Sequence, residues 1–129
     1  MKESFTLKTT FPVKPAVIYK AWLSSKGHSA MTGGGEAVCS DHEGEEFSAW
    51  DGYIMGTNVR LMKNKEIVQT WRTSEFADSD KDSELIIRLT ETKEGCELVL
   101  IHNNIPGGQP DYEQGWKDHY FTPMKQYFK

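Results

Sequence analysis

The sequence predicts an α+β fold, in which a curved antiparallel sheet of about six or seven strands wraps around a long C-terminal helix. Three observations lead to this prediction. Residues 36–103 form one strand-like segment after another, with short polar turns between them. Two short helical segments follow the first strand. Residues 111–128 carry an apolar face that covers half of a helical wheel, which is wider than the stripe of a surface helix.

The first elements follow from residue spacing. Residues 3–11 alternate apolar and polar side chains, which is typical of a strand. Pro15 suits the first turn of a helix within residues 14–24 because its missing N–H has no helical partner there in any case. A second short helix is predicted to end at Met31, just before the three glycines at 33–35.

The later strands are separated by residues that favour turns. Asp51-Gly52 predicts a type I′ hairpin turn, since both central residues of that turn need a positive φ. The remaining strands are predicted at residues 45–50, 53–61, 66–73, 84–91 and 96–104.

The terminal segment predicts a helix that is gripped by a concave surface. Pro123 removes one backbone donor and clashes with the carbonyl of His119, so we expect a kink there. At about 100° per residue, the apolar half of the wheel holds Tyr112, Trp116, Tyr120, Phe121, Pro123, Met124, Tyr127 and Phe128.

Composition narrows the class of protein. A length of 129 residues predicts a single domain over residues 1–129, and a net charge of −4 argues against the basic surface of a nucleic-acid-binding protein. The start has no apolar run typical of a signal peptide, and no stretch is long and apolar enough for a membrane span. Cys39 and Cys96 are therefore expected to be reduced thiols on strands of a cytoplasmic protein.

Several segments carry a family resemblance. The most specific are "TWR" at 70–72, which ends a predicted strand, and "GWKDHYF" at 115–121 in the terminal helix. With "EEFSAWDGYIMGTNVRL" and "ELVLIHNNIP", they make the chain resemble the C-terminal domain of the activator of the heat-shock-protein-90 ATPase and its one-domain bacterial relatives. That family belongs to the START-like, birch-pollen-allergen-like superfamily. The resemblance implies a helix-grip fold with a cavity between sheet and helix, and a heat-shock-protein-90-type chaperone as a partner.

The chain also departs from that family. The eukaryotic activator has a separate amino-terminal domain that makes much of the chaperone contact, and 129 residues leave no room for one. We therefore expect weak or no stimulation of a chaperone ATPase. Relatives tend to have Trp-Pro where this chain has Phe76-Ala77, and an ordinary helix residue where it has Pro123. These two departures affect local geometry only.

Two motifs have the spacing of metal ligands. Residues 78–82 place aspartates at alternate positions, as a calcium loop does, but Ser83 and Leu89 stand where that loop needs glycine and a carboxylate. A solvated hairpin tip is the favoured interpretation. The second motif could form a zinc site from Cys39, His42, Cys96 and His102, but its two halves lie on different predicted strands. We predict no metal and no cofactor.

The glycines at 33–35 lack the spacing of a dinucleotide site, and we interpret them as a flexible loop at the mouth of the cavity. No activated serine or cysteine is evident. Arg72 is expected to face away from Trp71 and to pair with a surface carboxylate.

His102 is the most informative polar residue, since it ends an apolar strand in phase with Leu98 and Leu100. It is either a ligand contact or weak general base in the cavity, or a hydrogen-bonded structural histidine, which we favour. The residues predicted to line the cavity are Trp22, Met31, Phe47, Tyr53, Met55, Trp71, Phe76, His102, Trp116 and Tyr120.

Three classes of function remain. The first is a binding module that holds a small hydrophobic ligand, and the second is a co-chaperone-like partner of a heat-shock-protein-90-type ATPase. The third is an enzyme of the polyketide cyclase or dehydratase type that uses the same cavity. The sequence disfavours the enzyme, because no cluster of titratable residues lies on the apolar strands.

Overall fold

A computed structural model describes residues 3–129 of the chain. Six strands form one antiparallel sheet in the order β1-β6-β5-β4-β3-β2, which confirms the predicted α+β architecture. The strands are β1 (Glu3–Phe11), β2 (Glu46–Ala49), β3 (Ile54–Met62), β4 (Glu66–Thr73), β5 (Ser83–Thr92) and β6 (Gly95–Ile105).

Helices cover the inner face of this sheet. Two short ones, α1 (Pro15–Trp22) and α2 (Ser25–Met31), follow β1. The third is the terminal helix, which consists of α3 (Tyr112–Trp116), a π-helical turn (Lys117–Phe121) and α4 (Thr122–Tyr127). Within residues 3–129, no helix combines the length and the apolar character that crossing a membrane requires.

The junction of α1 and α2 is tight. Ser24 caps α2, because its hydroxyl accepts a hydrogen bond from the Gly27 amide at 3.1 Å. A Cβ on Gly27 would lie 2.8 Å from the Cα of Ala21, so the backbones approach too closely for any side chain there. This close approach folds α2 back and brings His28 and Met31 into the core.

The β2–β3 turn is longer than the predicted Asp51-Gly52 turn. Trp50, Asp51 and Gly52 all have positive φ, at 53°, 59° and 88°. Long-range contacts hold this left-handed path, since the Glu36 amide donates to Asp51 Oδ1 at 2.8 Å and the Asp51 amide donates to the Glu36 carbonyl at 3.0 Å. The turn is therefore fastened to the loop that follows α2.

The terminal helix contains a π-helical turn where the sequence predicts a kink. The amide of Thr122 donates to the carbonyl of Lys117, five residues back, and Pro123 follows without an N–H to give. A π turn holds one more residue than an α turn, so the residues after it are rotated relative to a regular wheel. Tyr127, which the wheel places on the apolar half, is consequently 53% exposed.

Three aromatic side chains anchor the terminal helix at positions i, i+4 and i+8. Each buries its ring against the sheet or α2 and hydrogen-bonds its polar atom to a buried partner, as a buried Tyr or Trp requires. The three bonds join Tyr112 Oη to Thr73 Oγ1 (2.6 Å), Trp116 Nε1 to His102 Nδ1 (3.1 Å), and Tyr120 Oη to His28 Nε2 (2.7 Å).

The tautomers of both anchoring histidines follow from these bonds. His28 Nδ1 donates to the Trp22 carbonyl at 2.9 Å, so its Nε2 accepts from Tyr120. His102 Nδ1 accepts from Trp116, so its Nε2 donates to Ser83 Oγ at 2.8 Å. Burial lowers the pKa of His28 to about 4 and that of His102 to about 3. Both rings are neutral structural groups at neutral pH.

We expect Trp116→Ala to lower the free energy of unfolding by about 3–5 kcal/mol, because it removes a buried ring and leaves His102 Nδ1 without its donor. Urea unfolding measures this loss. The matched control is Tyr127→Ala on the exposed face of the same helix, which should cost less than about 1 kcal/mol. A loss below about 1 kcal/mol for Trp116→Ala as well would contradict the anchoring role.

Stability should also fall on mild acidification. An unfolded histidine titrates near 6.5, whereas folded His28 and His102 titrate near 4 and 3. The unfolded state thus binds more protons in this window, so the stability is fully present above pH 6.5 and is lost as the pH falls toward 4. The expected loss is about 1 kcal/mol per histidine per pH unit, measured by urea unfolding between about pH 7.5 and 5.5.

His102→Gln removes one of these two histidines and should roughly halve the histidine-linked dependence of the free energy of unfolding on pH. Equal slopes in wild type and His102→Gln would show that His102 is not buried in its neutral form.

Candidate functional site

A groove of about 430 Å³ opens between the sheet and the first half of the terminal helix. We call it the aromatic groove, since six of its eleven lining residues are Trp or Tyr. The lining residues are Trp50, Tyr53, Ile54, Trp71, Pro110, Asp111, Tyr112, Gly115, Trp116, His119 and Tyr120.

On the sheet side, strand alternation positions Trp71. Its neighbours Thr70 and Arg72 face outward, whereas Trp71 is buried on the concave face. Its ring packs edge-on against His102, with centroids 4.5 Å apart, and against Tyr112 at 5.0 Å. Trp71 is therefore a fixed wall of the groove.

On the helix side, the groove is lined by a stripe at i, i+3, i+4, i+7 and i+8. This spacing places all five side chains on one face of a helix. Gly115 is the gap in the stripe, because a Cβ built on it would meet nothing within 4 Å. The stripe consists of Tyr112, Gly115, Trp116, His119 and Tyr120.

Trp50 closes one side of the groove. Its ring packs over Gly35, where a Cβ would lie 3.3 Å from Trp50 Cε3, and edge-on against His119 with centroids 5.5 Å apart. Its indole N–H is buried near the Tyr120 hydroxyl and has no hydrogen-bond partner of normal geometry among residues 3–129. The glycine loop thus supports the groove through Trp50.

Hydrogen bonds join lining residues of the groove to Glu75 and Gln109, and we call this part of the groove its rim. The Tyr53 hydroxyl donates to the Glu75 carboxylate. The side-chain amide of Gln109 donates to the backbone carbonyl of Glu75 at 3.2 Å. Tyr112 donates to Gln109 Oε1 at 2.8 Å. Asp111 caps the terminal helix by accepting from the Gln114 amide at 3.1 Å.

The three tyrosines of the groove are neutral. Burial is the main cause that raises the pKa of Tyr53, Tyr112 and Tyr120 above the ordinary value of a phenol. A carboxylate near Tyr53, that of Glu75, raises its pKa further. None of the three is therefore poised to lose a proton near neutral pH.

The structure brings four of the residues predicted to line the cavity into the groove, namely Tyr53, Trp71, Trp116 and Tyr120. Met55 lies elsewhere, because alternation along β3 buries Ile54 and turns Met55 to the outer face, where it is 42% exposed.

The other five predicted residues are buried outside the lining. Trp22 stacks on Trp116 with centroids 6.3 Å apart, and Met31 is fully buried. His102 is 0% exposed, with both ring nitrogens hydrogen-bonded. The last two, Phe47 and Phe76, are core residues.

Sequence reasoning missed several groove residues. The helix stripe offers a signal for Tyr112, Gly115 and His119, since they share one face with Trp116. Asp111 has a signal too, as an N-cap just ahead of the stripe. Nothing in the local sequence indicates Trp50, because long-range contacts set its left-handed conformation.

The residues of the two candidate metal motifs are not gathered as ligands among residues 3–129. Arg72 organises the loop at 78–82, donating to Asp82 Oδ1 at 2.8 Å and to the Asp80 carbonyl at 3.1 Å, which confirms its predicted pairing. Cys96 begins β6, but Cys39 lies in the loop before β2 rather than on a strand. Across residues 3–129, no three or more His, Cys, Asp or Glu side chains are grouped as metal ligands.

Solved structures share this architecture. One of an HSP90 activator from Plasmodium falciparum has a TM-score of 0.87 at 23% identity, covering 96% of this chain and 94% of that one. The solution structure of the Aha1 dimer from Colwellia psychrerythraea has a TM-score of 0.80 at 14% identity, covering 98% and 96%. Both likenesses concern the fold.

Sequence comparison supplies the family. The activator of 90 kDa heat shock protein ATPase homolog 1 from Homo sapiens is 27% identical over 124 residues. That match covers 95% of this chain but 36% of the human protein, so the chain spans about a third of its relative's length. The family model "Activator of Hsp90 ATPase homolog 1-like protein" matches residues 12–129. The chain therefore belongs to this family, as the resemblance in its sequence predicts.

Proposed function

We propose that this chain is a non-catalytic binding domain whose aromatic groove holds a small hydrophobic ligand. The observation that carries the proposal is the open space beside Gly115. This space is part of the aromatic groove, whose whole volume of about 430 Å³ lies in the range of small-molecule sites. Apolar, largely aromatic walls with a few polar atoms at the rim are also typical of such sites.

Gly115 is difficult to explain by packing within the chain. A glycine inside a helix is less stable than alanine by roughly 0.5–1 kcal/mol. Its φ is not positive, and a Cβ there would meet nothing within 4 Å other than its chain neighbours and the adjacent backbone of its own helix. The fold itself would accept a side chain here. An occupant of the groove supplies the reason for leaving the space open.

The two buried histidines are not free to act as bases, which favours binding over catalysis that would depend on either of them. A general base needs an unshared nitrogen or oxygen within hydrogen-bond reach of the substrate. His28 and His102 use both ring nitrogens for internal hydrogen bonds, and neither lines the groove. These contacts support a structural role for His102, and they disfavour a cyclase or dehydratase that would depend on it.

A second candidate function is contact with a heat-shock-protein-90-type ATPase. It is favoured by the family model and by the name of the human relative, which is an activator of that ATPase. Such a contact would use the surface of the domain and is compatible with a ligand in the groove. It would place the chain in the chaperone's compartment, for which we propose the cytoplasm.

We expect Gly115→Leu to weaken the binding of an aromatic probe, 2-naphthol, by at least about tenfold, because the new side chain fills the space that the probe would occupy. Fluorescence titration measures the affinity. Thermal unfolding gives a second readout, since a ligand at 100 times its Kd stabilises by about 2.7 kcal/mol.

The matched control is Gln114→Leu, which adds the same side chain one residue away on the exposed face. It should leave the affinity for 2-naphthol unchanged. Gly115→Ala should raise the free energy of unfolding by about 0.5–1 kcal/mol. If wild type shows neither binding nor stabilisation by 2-naphthol, the proposal is wrong for neutral aromatic ligands of this size.

The chaperone candidate is tested by adding the chain to a heat-shock-protein-90 ATPase from the same organism. We expect weak or no stimulation of ATP hydrolysis, because these 129 residues match only 36% of the length of the human activator. A saturable, several-fold rise would contradict this expectation and would make chaperone contact the primary function.

A further inference from the structure

The electrostatic character of the aromatic groove indicates what kind of ligand it takes. Aromatic rings carry a negative potential on their faces, and a cation above such a face is attracted to it. None of the described residues that line the groove is Lys or Arg. The groove thus combines six electron-rich side chains with no fixed positive charge, and His119 is the one basic side chain among its described lining residues. Tyr112, Trp116 and Tyr120 also serve as anchors of the helix.

The hydroxyl hydrogens of the lining tyrosines are all committed to acceptors within the protein. Tyr53 donates to Glu75, and Tyr112 donates to Gln109. Tyr120 donates to His28 Nε2, because the other nitrogen of that ring is itself a donor. The groove therefore offers its ligand aromatic rings and oxygen lone pairs but no hydroxyl donor, and the indole N–H of Trp50 is buried. This disfavours an anionic ligand.

Two carboxylates add to this negative character. Asp111 lines the groove, and only its Oδ1 is used as the helix cap, toward the Gln114 amide. Glu75 lies at the rim, where it accepts from the Tyr53 hydroxyl. A phenol that donates to a carboxylate becomes more electron-rich in its ring, which strengthens the attraction of a cation to Tyr53.

We propose that the ligand of the aromatic groove is an organic cation, such as a quaternary ammonium or a protonated amine with an apolar body. The apolar body would pack against the rings of Trp50 and Trp71, and the cationic group would lie toward Asp111. This inference rests on the proposed function, since it assumes that the groove binds a small molecule. It adds the charge of the ligand and the residue that selects for it.

The test compares three probes of similar shape: benzyltrimethylammonium, its neutral isostere neopentylbenzene, and the anion phenylmethanesulfonate. Affinities are measured by displacement of 2-naphthol or, if 2-naphthol does not bind, by the shift in melting temperature. We expect the cation to bind at least about tenfold more tightly than the neutral probe, and the anion to bind more weakly than both.

Asp111→Asn is the matched variant, because asparagine caps a helix about as well as aspartate and removes only the charge. It should weaken binding of the cation several-fold and leave the neutral probe unchanged. Replacing all four tryptophans by difluorotryptophan keeps the shape of the rings but reduces the negative potential of their faces. This replacement should weaken binding of the cation without weakening binding of the neutral probe.

The outcomes separate this inference from the proposed function. If the neutral probe binds as tightly as the cation, or if both variants affect the two probes equally, the inference is overturned while the groove remains a binding site. If neither of these probes nor 2-naphthol binds, the inference and the proposed function both fail. If Asp111→Asn and the difluorotryptophan protein both lose affinity for the cation but keep their affinity for the neutral probe, the inference is supported.

Discussion

The terminal helix can lie inside the curved sheet only if the polar atoms of its large aromatic side chains find partners there. A buried hydroxyl or indole N–H without a hydrogen bond costs about 1–3 kcal/mol, so a wide aromatic face is stable only where the opposite wall supplies acceptors. His102 and His28 supply two of them, from β6 and α2. Gln109 accepts from Tyr112, whose hydroxyl oxygen accepts in turn from Thr73 on β4. Most of the remaining structure positions these partners.

This requirement also explains why the two buried histidines are poor candidates for chemistry. Each ring uses one nitrogen as a donor and the other as an acceptor, and burial keeps it neutral. A ring held in this way orients the helix but has no lone pair for a substrate. The same bonds set the distance between helix and sheet, so the aromatic groove that remains open beside Gly115 is a consequence of how the helix is anchored.

Family membership and groove geometry suggest different kinds of partner. The family links the chain to relatives named as activators of a chaperone ATPase, whereas the groove has the volume and the apolar lining of a small-molecule site. The two can coexist on one domain, because fold does not determine function and separate surfaces can carry separate roles. A ligand in the groove would stabilise the domain by mass action without altering its outer face.

The sequence by itself determined the order of elements and the gripped helix, because strand alternation and helical spacing are local patterns that tolerate small errors in position. It also determined four of the groove residues, Tyr53, Trp71, Trp116 and Tyr120. Tertiary structure decided the others. Trp50 reaches the groove only because Glu36 holds its turn in a left-handed path, and the exposure of Tyr127 follows from a π-helical turn that a regular wheel does not contain. Both depend on contacts or hydrogen-bond registers that no local pattern of residues specifies.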